Sequence, residues 1–107
     1  MSALIEKIRS GARIYDVRTP EEFYEEAYPG AVNIPVDQVV SRLSEFGDRA
    51  TSIVLYCASG ARSAFAARLL RNAGYRDVIN AGGLSDMPPD PRAGAPHPVS
   101  QSDASRA

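Results

Sequence analysis

The chain has a single cysteine, in the stretch Tyr56-Cys57-Ala58-Ser59-Gly60-Ala61-Arg62-Ser63-Ala64. An apolar run, Ile53 to Tyr56, precedes it, and a helical pattern begins near Arg62 or Ser63. A turn between a strand end and a helix start points several backbone N–H groups into one concavity, above the positive end of the helix dipole. The small residues Ala58, Ser59, Gly60 and Ala61 let the backbone close on whatever occupies it. Such a cradle holds anions, and the nearest candidate is the thiolate of Cys57. A free thiol, with a pKa near 8.5, is only about 3% ionised at pH 7; helix N-termini and nearby cations lower that pKa to roughly 3.5–7.5. The same donors would hold an anionic substrate and its leaving group. Arg62, at the far lip, offers a fork suited to oxyanions. Ser63 adds a hydroxyl and an amide.

The competing reading is a buried, inert cysteine, because free cysteines are commonly buried. The order strand, cysteine, small loop, arginine, helix favours a nucleophile. Two further residues, Asp16 and Arg18, end another apolar run on the same side of the expected sheet. From the residues alone they read as a scaffold salt bridge. Solvated charge is the expectation for Glu21 to Glu26. Gly82 and Gly83 read as a backbone turn, and Tyr15 and Phe23 as core.

The elements that would position these residues are short. Ser2 to Ser10 has helical spacing and stops at Gly11. Ile14 to Val17 and Ile53 to Tyr56 read as buried strands, Ala31 to Pro35 as a small one and Val78-Ile79 as a last one. Thr19, Pro20 and Glu22 form the signature of a capped helix start, with Thr19 as N-cap and Glu22 as the reciprocal partner. Val36, Val39, Val40, Leu43 and Phe46 predict one helix ending at Gly47. Ser63 to Ala73 predicts another, with Phe65, Ala66, Leu69, Leu70 and Ala73 on its buried face. Strands alternating with helices predict an open, mostly parallel α/β sheet, whose ligands bind outside the carboxyl ends of the strands.

Composition narrows the function. The chain of 107 residues, 44% hydrophobic and 23% charged, suits one globular domain. A net charge of −1 argues against nucleic-acid binding and a basic membrane surface. No apolar run reaches the ~20 residues of a membrane span, and MSALIEKIRSGAR has no long apolar stretch of the signal-peptide kind. One cysteine cannot form an internal disulfide or a cysteine-rich metal site. A cytoplasmic, reducing setting is expected, with no metal and no cofactor. Residues 1–87 read as the domain, and 88–107, rich in Pro, Ala and Ser, as a flexible tail.

Taken together, IYDVRTPEEF, GAVNIP, CASGARS and GYRDVINAGG resemble, in order and spacing, the single-domain rhodaneses, a family of sulfurtransferases. The resemblance spans about Ile14 to Gly83. It implies a rhodanese-like α/β fold, roughly a five-stranded parallel sheet with helices on both faces. It also implies a persulfide on Cys57, a loop from Ala58 to Ser63 that binds substrate, and Asp16 and Arg18 beside that loop. The implied partners are a small-molecule sulfur donor such as thiosulfate and a thiol or cyanide acceptor, with a protein sulfur acceptor as a further candidate. A sulfur-carrier or regulatory module without turnover is the alternative. Phosphatases and arsenate reductases with a cysteine nucleophile space Cys and Arg by five residues; the four here make a tighter pocket and favour sulfur transfer. The sequence departs from the family at Glu26-Ala27-Tyr28, where members often carry Gly-His-Ile. It departs again at Met87, where a closing helix with a tryptophan is common.

Overall fold

A computed structural model of the chain describes residues 3–92. Helix α1 spans Ala3–Arg9, strand β1 Arg13–Asp16, helix α2 Pro20–Glu25 and strand β2 Val32–Asn33. Strand β3 follows at Ser52–Cys57, helix α3 at Ala61–Asn72 and strand β4 at Asp77–Gly83. The strands form one parallel sheet in the order β2-β1-β3-β4. The chain leaves β1 toward one edge and β3 toward the other. The carboxyl ends of β1 and β3 therefore meet at the point where strand order reverses, the position at which open α/β sheets bind ligands. Asp16 pairs with Tyr56 across that seam, next to Cys57.

Side chains alternate across the pleat and build two cores. Tyr15, Val17, Ile53, Leu55 and Cys57 face one side, where Ala66, Ala67 and Leu70 of α3 and Phe46 cover them. Ile14, Val54 and Tyr56 face the other, against Ile8 of α1, Ala12 and Tyr28. Helices thus lie on both faces, and the α/β rhodanese fold is present.

Several local expectations need correction. Four strands, not five, are found among the described residues; the remaining apolar segments are committed to helices and turns. The single helix expected over Val36 to Phe46 is instead two 3-10 turns, Val36–Gln38 and Leu43–Phe46. Three β-branched residues, Val36, Val39 and Val40, weaken helix propensity there. The backbone also serves tertiary partners: the Tyr15 hydroxyl donates to the Glu45 carbonyl at 2.8 Å. On α3 the buried residues are Ser63, Ala66, Ala67 and Leu70, and Phe65 is 52% exposed. Leu69 and Ala73 also pack against this core, so the expected face holds except at Phe65, and the smaller Ser63 and Ala67 widen it and let α3 approach the sheet. Finally, a 3-10 turn at Leu84–Asp86 stands in the place of a longer closing helix. Leu84 and Met87 pack on the α1 side of the sheet and supply its cover.

Candidate active site

Strand β3 ends in Cys57, and Gly60 caps α3 with φ 101°, a left-handed conformation that a side chain would oppose. The turn folds back on the thiol. The Gly60 N–H donates to Cys57 Sγ at 3.0 Å and the Ser63 N–H at 3.4 Å. The Ser63 hydroxyl lies 3.4 Å from Sγ but 2.6 Å from Asn80 Oδ1. A hydroxyl has one proton, so the two amides are the firmer donors to sulfur. Cys57 is fully buried. Burial pushes the thiol pKa up; the Ser63 hydroxyl and the amides of Ser63, Gly60 and Ser59 outweigh it, and the net shift is downward. The arrangement stabilises a thiolate and would equally stabilise a negatively charged group attached to that sulfur.

Strand β4 braces the loop from one flank. Between the Leu55–Asn80 and Cys57–Gly83 pairs β4 carries one residue more than β3, a bulge beside the loop. Asn80 Nδ2 donates to the Gly60 carbonyl at 3.2 Å, and Asn80 Oδ1 accepts from the Gly82 amide at 2.9 Å. A Cβ on Gly83 would stand 2.2 Å from the Ala58 carbonyl oxygen. The double glycine is therefore more than a turn: it lets β4 press against the cysteine loop. Asn80 carried no signal in the sequence, because its partners lie 17 and 20 residues away.

The β1 end supplies the next wall. Arg18 Nη2 donates to Asp16 Oδ2 at 2.7 Å and to the Glu26 carbonyl at 2.6 Å, and its amide donates to Asp16 Oδ1 at 2.9 Å. Asp16 is fully buried and Arg18 nearly so. The guanidinium lies 5.6 Å from the centre of the Tyr56 ring. Burial, with Asp16 close by, pushes the Tyr56 hydroxyl up to about 12; it accepts the Tyr28 amide at 2.9 Å. A cleft of about 620 Å³ runs beside Ala58, between Arg18, Tyr28 and Pro29 and the chain from Leu84 to Asp90.

The opposite flank holds Arg62, close enough to Cys57 for their charges to interact. Its guanidinium does not stand free. Nη1 donates to Glu22 Oε1 at 2.8 Å and Nη2 to Glu22 Oε2 at 3.1 Å. Glu22 does double duty, since the expected capping box is also formed. The solvated face expected for Glu21 to Glu26 is thus wrong at Glu22, which is the loop arginine's partner. The structure brings Cys57 at the end of β3, Ala58, Ser59 and Gly60 in the turn, and Ala61, Arg62 and Ser63 in the first turn of α3 into one site, with Asp16 and Arg18 at the neighbouring strand end. Among the described residues no cluster of metal-ligating side chains occurs and no helix is long and apolar enough to cross a membrane.

A family model for the rhodanese-like domain matches residues 1–87. The chain belongs to the rhodanese-like family. Relatives of this rhodanese include the thiosulfate sulfurtransferase PspE of Escherichia coli strain K12, 40% identical over 73 residues, which covers 67% of this chain and 70% of PspE. Among solved structures, a rhodanese with anions from E. coli superposes with a TM-score of 0.69 at 37% identity, over 72% of this chain and 92% of that one. The human single-domain sulfurtransferase TSTD1 gives a TM-score of 0.69 at 33% identity, over 76% and 84% of the two chains. Against that family background, the rhodanese described here closes its sheet with Leu84 and Met87 and buries Tyr28 to 6% exposure at the family's departure point.

Proposed function

We propose that this chain is a sulfurtransferase that moves a sulfane sulfur from a donor such as thiosulfate to a thiol or cyanide acceptor through a persulfide on Cys57. The observation that carries the reading is the convergence of the Gly60 and Ser63 amides on Cys57 Sγ. The thiolate attacks the outer sulfur of the donor. The donor's S–S bond breaks, sulfite leaves with the electron pair, and a new S–S bond forms on Cys57. The acceptor then attacks the terminal sulfur and the Cys57 thiolate is regenerated. No net oxidation or reduction of the protein occurs, and no second thiol is needed, which suits a chain with one cysteine. Amides aimed at the sulfur stabilise the negative charge in each resting form and in the transition states between them.

Homology supports the assignment, since relatives carry the names thiosulfate sulfurtransferase and single-domain sulfurtransferase. The four-residue spacing from Cys57 to Arg62 supports it over phosphatase or arsenate reductase chemistry. A single thiol that must stay reduced between turnovers fits a cytoplasmic setting. The test is thiocyanate formation from thiosulfate and cyanide by the wild type and by Cys57→Ser, with intact mass read after thiosulfate alone. Thiocyanate from the wild type only, and a gain of one sulfur atom that Cys57→Ser lacks, is the expected result. Equal rates in the two proteins would overturn the reading. Sulfur loading without thiocyanate would instead identify a carrier.

A further inference from the structure

Two arginines stand at the mouth of the cysteine loop, and each is occupied by a carboxylate of the same chain. Arg18 is held by Asp16, and Arg62 by Glu22. The four charges sum to zero, so the resting site offers an arriving anion no unpaired guanidinium from this group. The Glu22–Arg62 pair is the exchangeable one. Its side chains are 33% and 34% exposed, whereas those of Asp16 and Arg18 are 0% and 9% exposed. A half-exposed pair is weak enough for a competing anion to part.

Glu22 is also fixed before Arg62 reaches it. Its Oε1 accepts from the Thr19 amide at 2.9 Å and from the Thr19 hydroxyl at 3.1 Å, and Thr19 Oγ1 in turn accepts the Glu22 amide at 3.2 Å. This capping box holds a forked acceptor in the geometry that an oxyanion would present to a guanidinium. From this arrangement we infer that Glu22 is a positioning residue acting as an internal competitor for Arg62: an oxyanionic sulfur donor must displace the Glu22 carboxylate to engage the loop arginine. The inference rests on the sulfurtransferase reading above for the identity of the ligand. It makes Glu22 a specificity determinant, because it weakens donors that need Arg62 and leaves donors that reach only the loop amides unaffected. Arg18 and Cys57 are the other charged groups that act electrostatically on Arg62. Neither forms a hydrogen bond with it among the described residues.

Glu22→Gln is a clean probe, since glutamine also completes a capping box while removing the charge. Sulfite binding is measured in the Cys57→Ser background, where no persulfide forms, by titration of the Gly60 and Ser63 backbone amide resonances, which every variant retains. Glu22→Gln is expected to tighten sulfite about two- to five-fold, the range of a half-exposed ion pair. The gain should vanish when Arg62→Gln is added, since coupling then has no carrier. In the protein with Cys57 intact, the thiosulfate KM should fall by a similar factor while kcat moves less. Equal or weaker sulfite binding in Glu22→Gln, no binding in either protein, or a gain that survives Arg62→Gln would overturn the inference. The sulfite measurement does not need turnover. A chain that fails to make thiocyanate yet shows the Arg62-dependent gain would sink the sulfurtransferase reading and leave the role of Glu22 standing.

Discussion

Asp16–Arg18 and Glu22–Arg62 are both forked arginine–carboxylate pairs beside the cysteine loop. One is dry and two residues apart; the other is half in water and spans forty residues. Asp16 does more than neutralise Arg18. Its carboxylate accepts the Arg18 amide, and Asn33 Nδ2 donates to the carbonyls of both residues at 3.0 Å. That network fixes how the chain leaves β1 and therefore where the wall beside Ala58 stands. Water cannot replace either partner of a buried pair, whereas Glu22 and Arg62 can each be rehydrated when they separate. The same chemical pair is a structural fastener in one place and an exchangeable contact in the other, and burial alone makes the difference.

The largest expected effect comes from breaking the dry pair. Asp16→Asn leaves the Arg18 charge buried without a counter-charge, which destabilises by about 3–5 kcal/mol. For a domain of this size that is a large share of total stability. Urea unfolding should show the midpoint falling with little change in slope. A loss no greater than that of an exposed pair would mean that Arg18 escapes to water and that the two pairs are alike.

A smaller and more local effect is expected from Glu22→Ala. Helix α2 is six residues long and buries none of them, so caps and the Arg62 clamp hold it. Removing both the reciprocal cap and the clamp should cost about 1 kcal/mol. The loss should appear first as faster hydrogen exchange at the Phe23 and Glu26 amides, which donate to the Thr19 and Glu22 carbonyls. Amides of β3 should be unaffected. Uniform acceleration across the sheet would show that Glu22, like Asp16, supports the whole fold.

The contrast also tracks what sequence can show. Thr19-Pro20-x-Glu22 was legible as a capping box because its contacts span three residues and depend on local geometry. The strand, small loop and helix around Cys57 were legible for the same reason: a thiol after an apolar run, then small residues, leaves few backbone paths. The β4 strand was legible only at Val78-Ile79, because Asn80 to Gly83 are polar or small and pair with Leu55 and Cys57 of β3 across a bulge that their residue types do not announce. On α3 the face through Ala66, Leu69, Leu70 and Ala73 is legible, and only Phe65 misleads: it outweighs Ala67 in any hydrophobic count, while packing against a sheet rewards the smaller residue. The Glu22–Arg62 pair was illegible in principle. The capping box marks Glu22 locally as a helix cap, but nothing local marks it as the partner of Arg62, because only the fold brings α2 to the start of α3.

The smallest expected effect separates the pairs by acid. The Arg62 guanidinium, then the Thr19 amide, hold the Glu22 carboxyl well below its ordinary range, at about 2. A carboxyl whose pKa is lower in the folded state than in the unfolded one adds stability at pH above its unfolded value. That addition is lost as pH falls through the folded value. For Glu22 the window runs from its ordinary 4.5 down to about 2. In Glu22→Gln this contribution is absent at every pH. The stability difference between wild type and Glu22→Gln should therefore be constant above the window and shift in the variant's favour within it. The depressed carboxyls of Glu45, Asp77 and Asp90 are common to both proteins and cancel in the comparison. Paired urea titrations at steps through the window read the difference directly. A difference that does not change across it would mean that the folded Glu22 titrates like a free carboxyl, and the clamp on Arg62 would then be no stronger than contact with water.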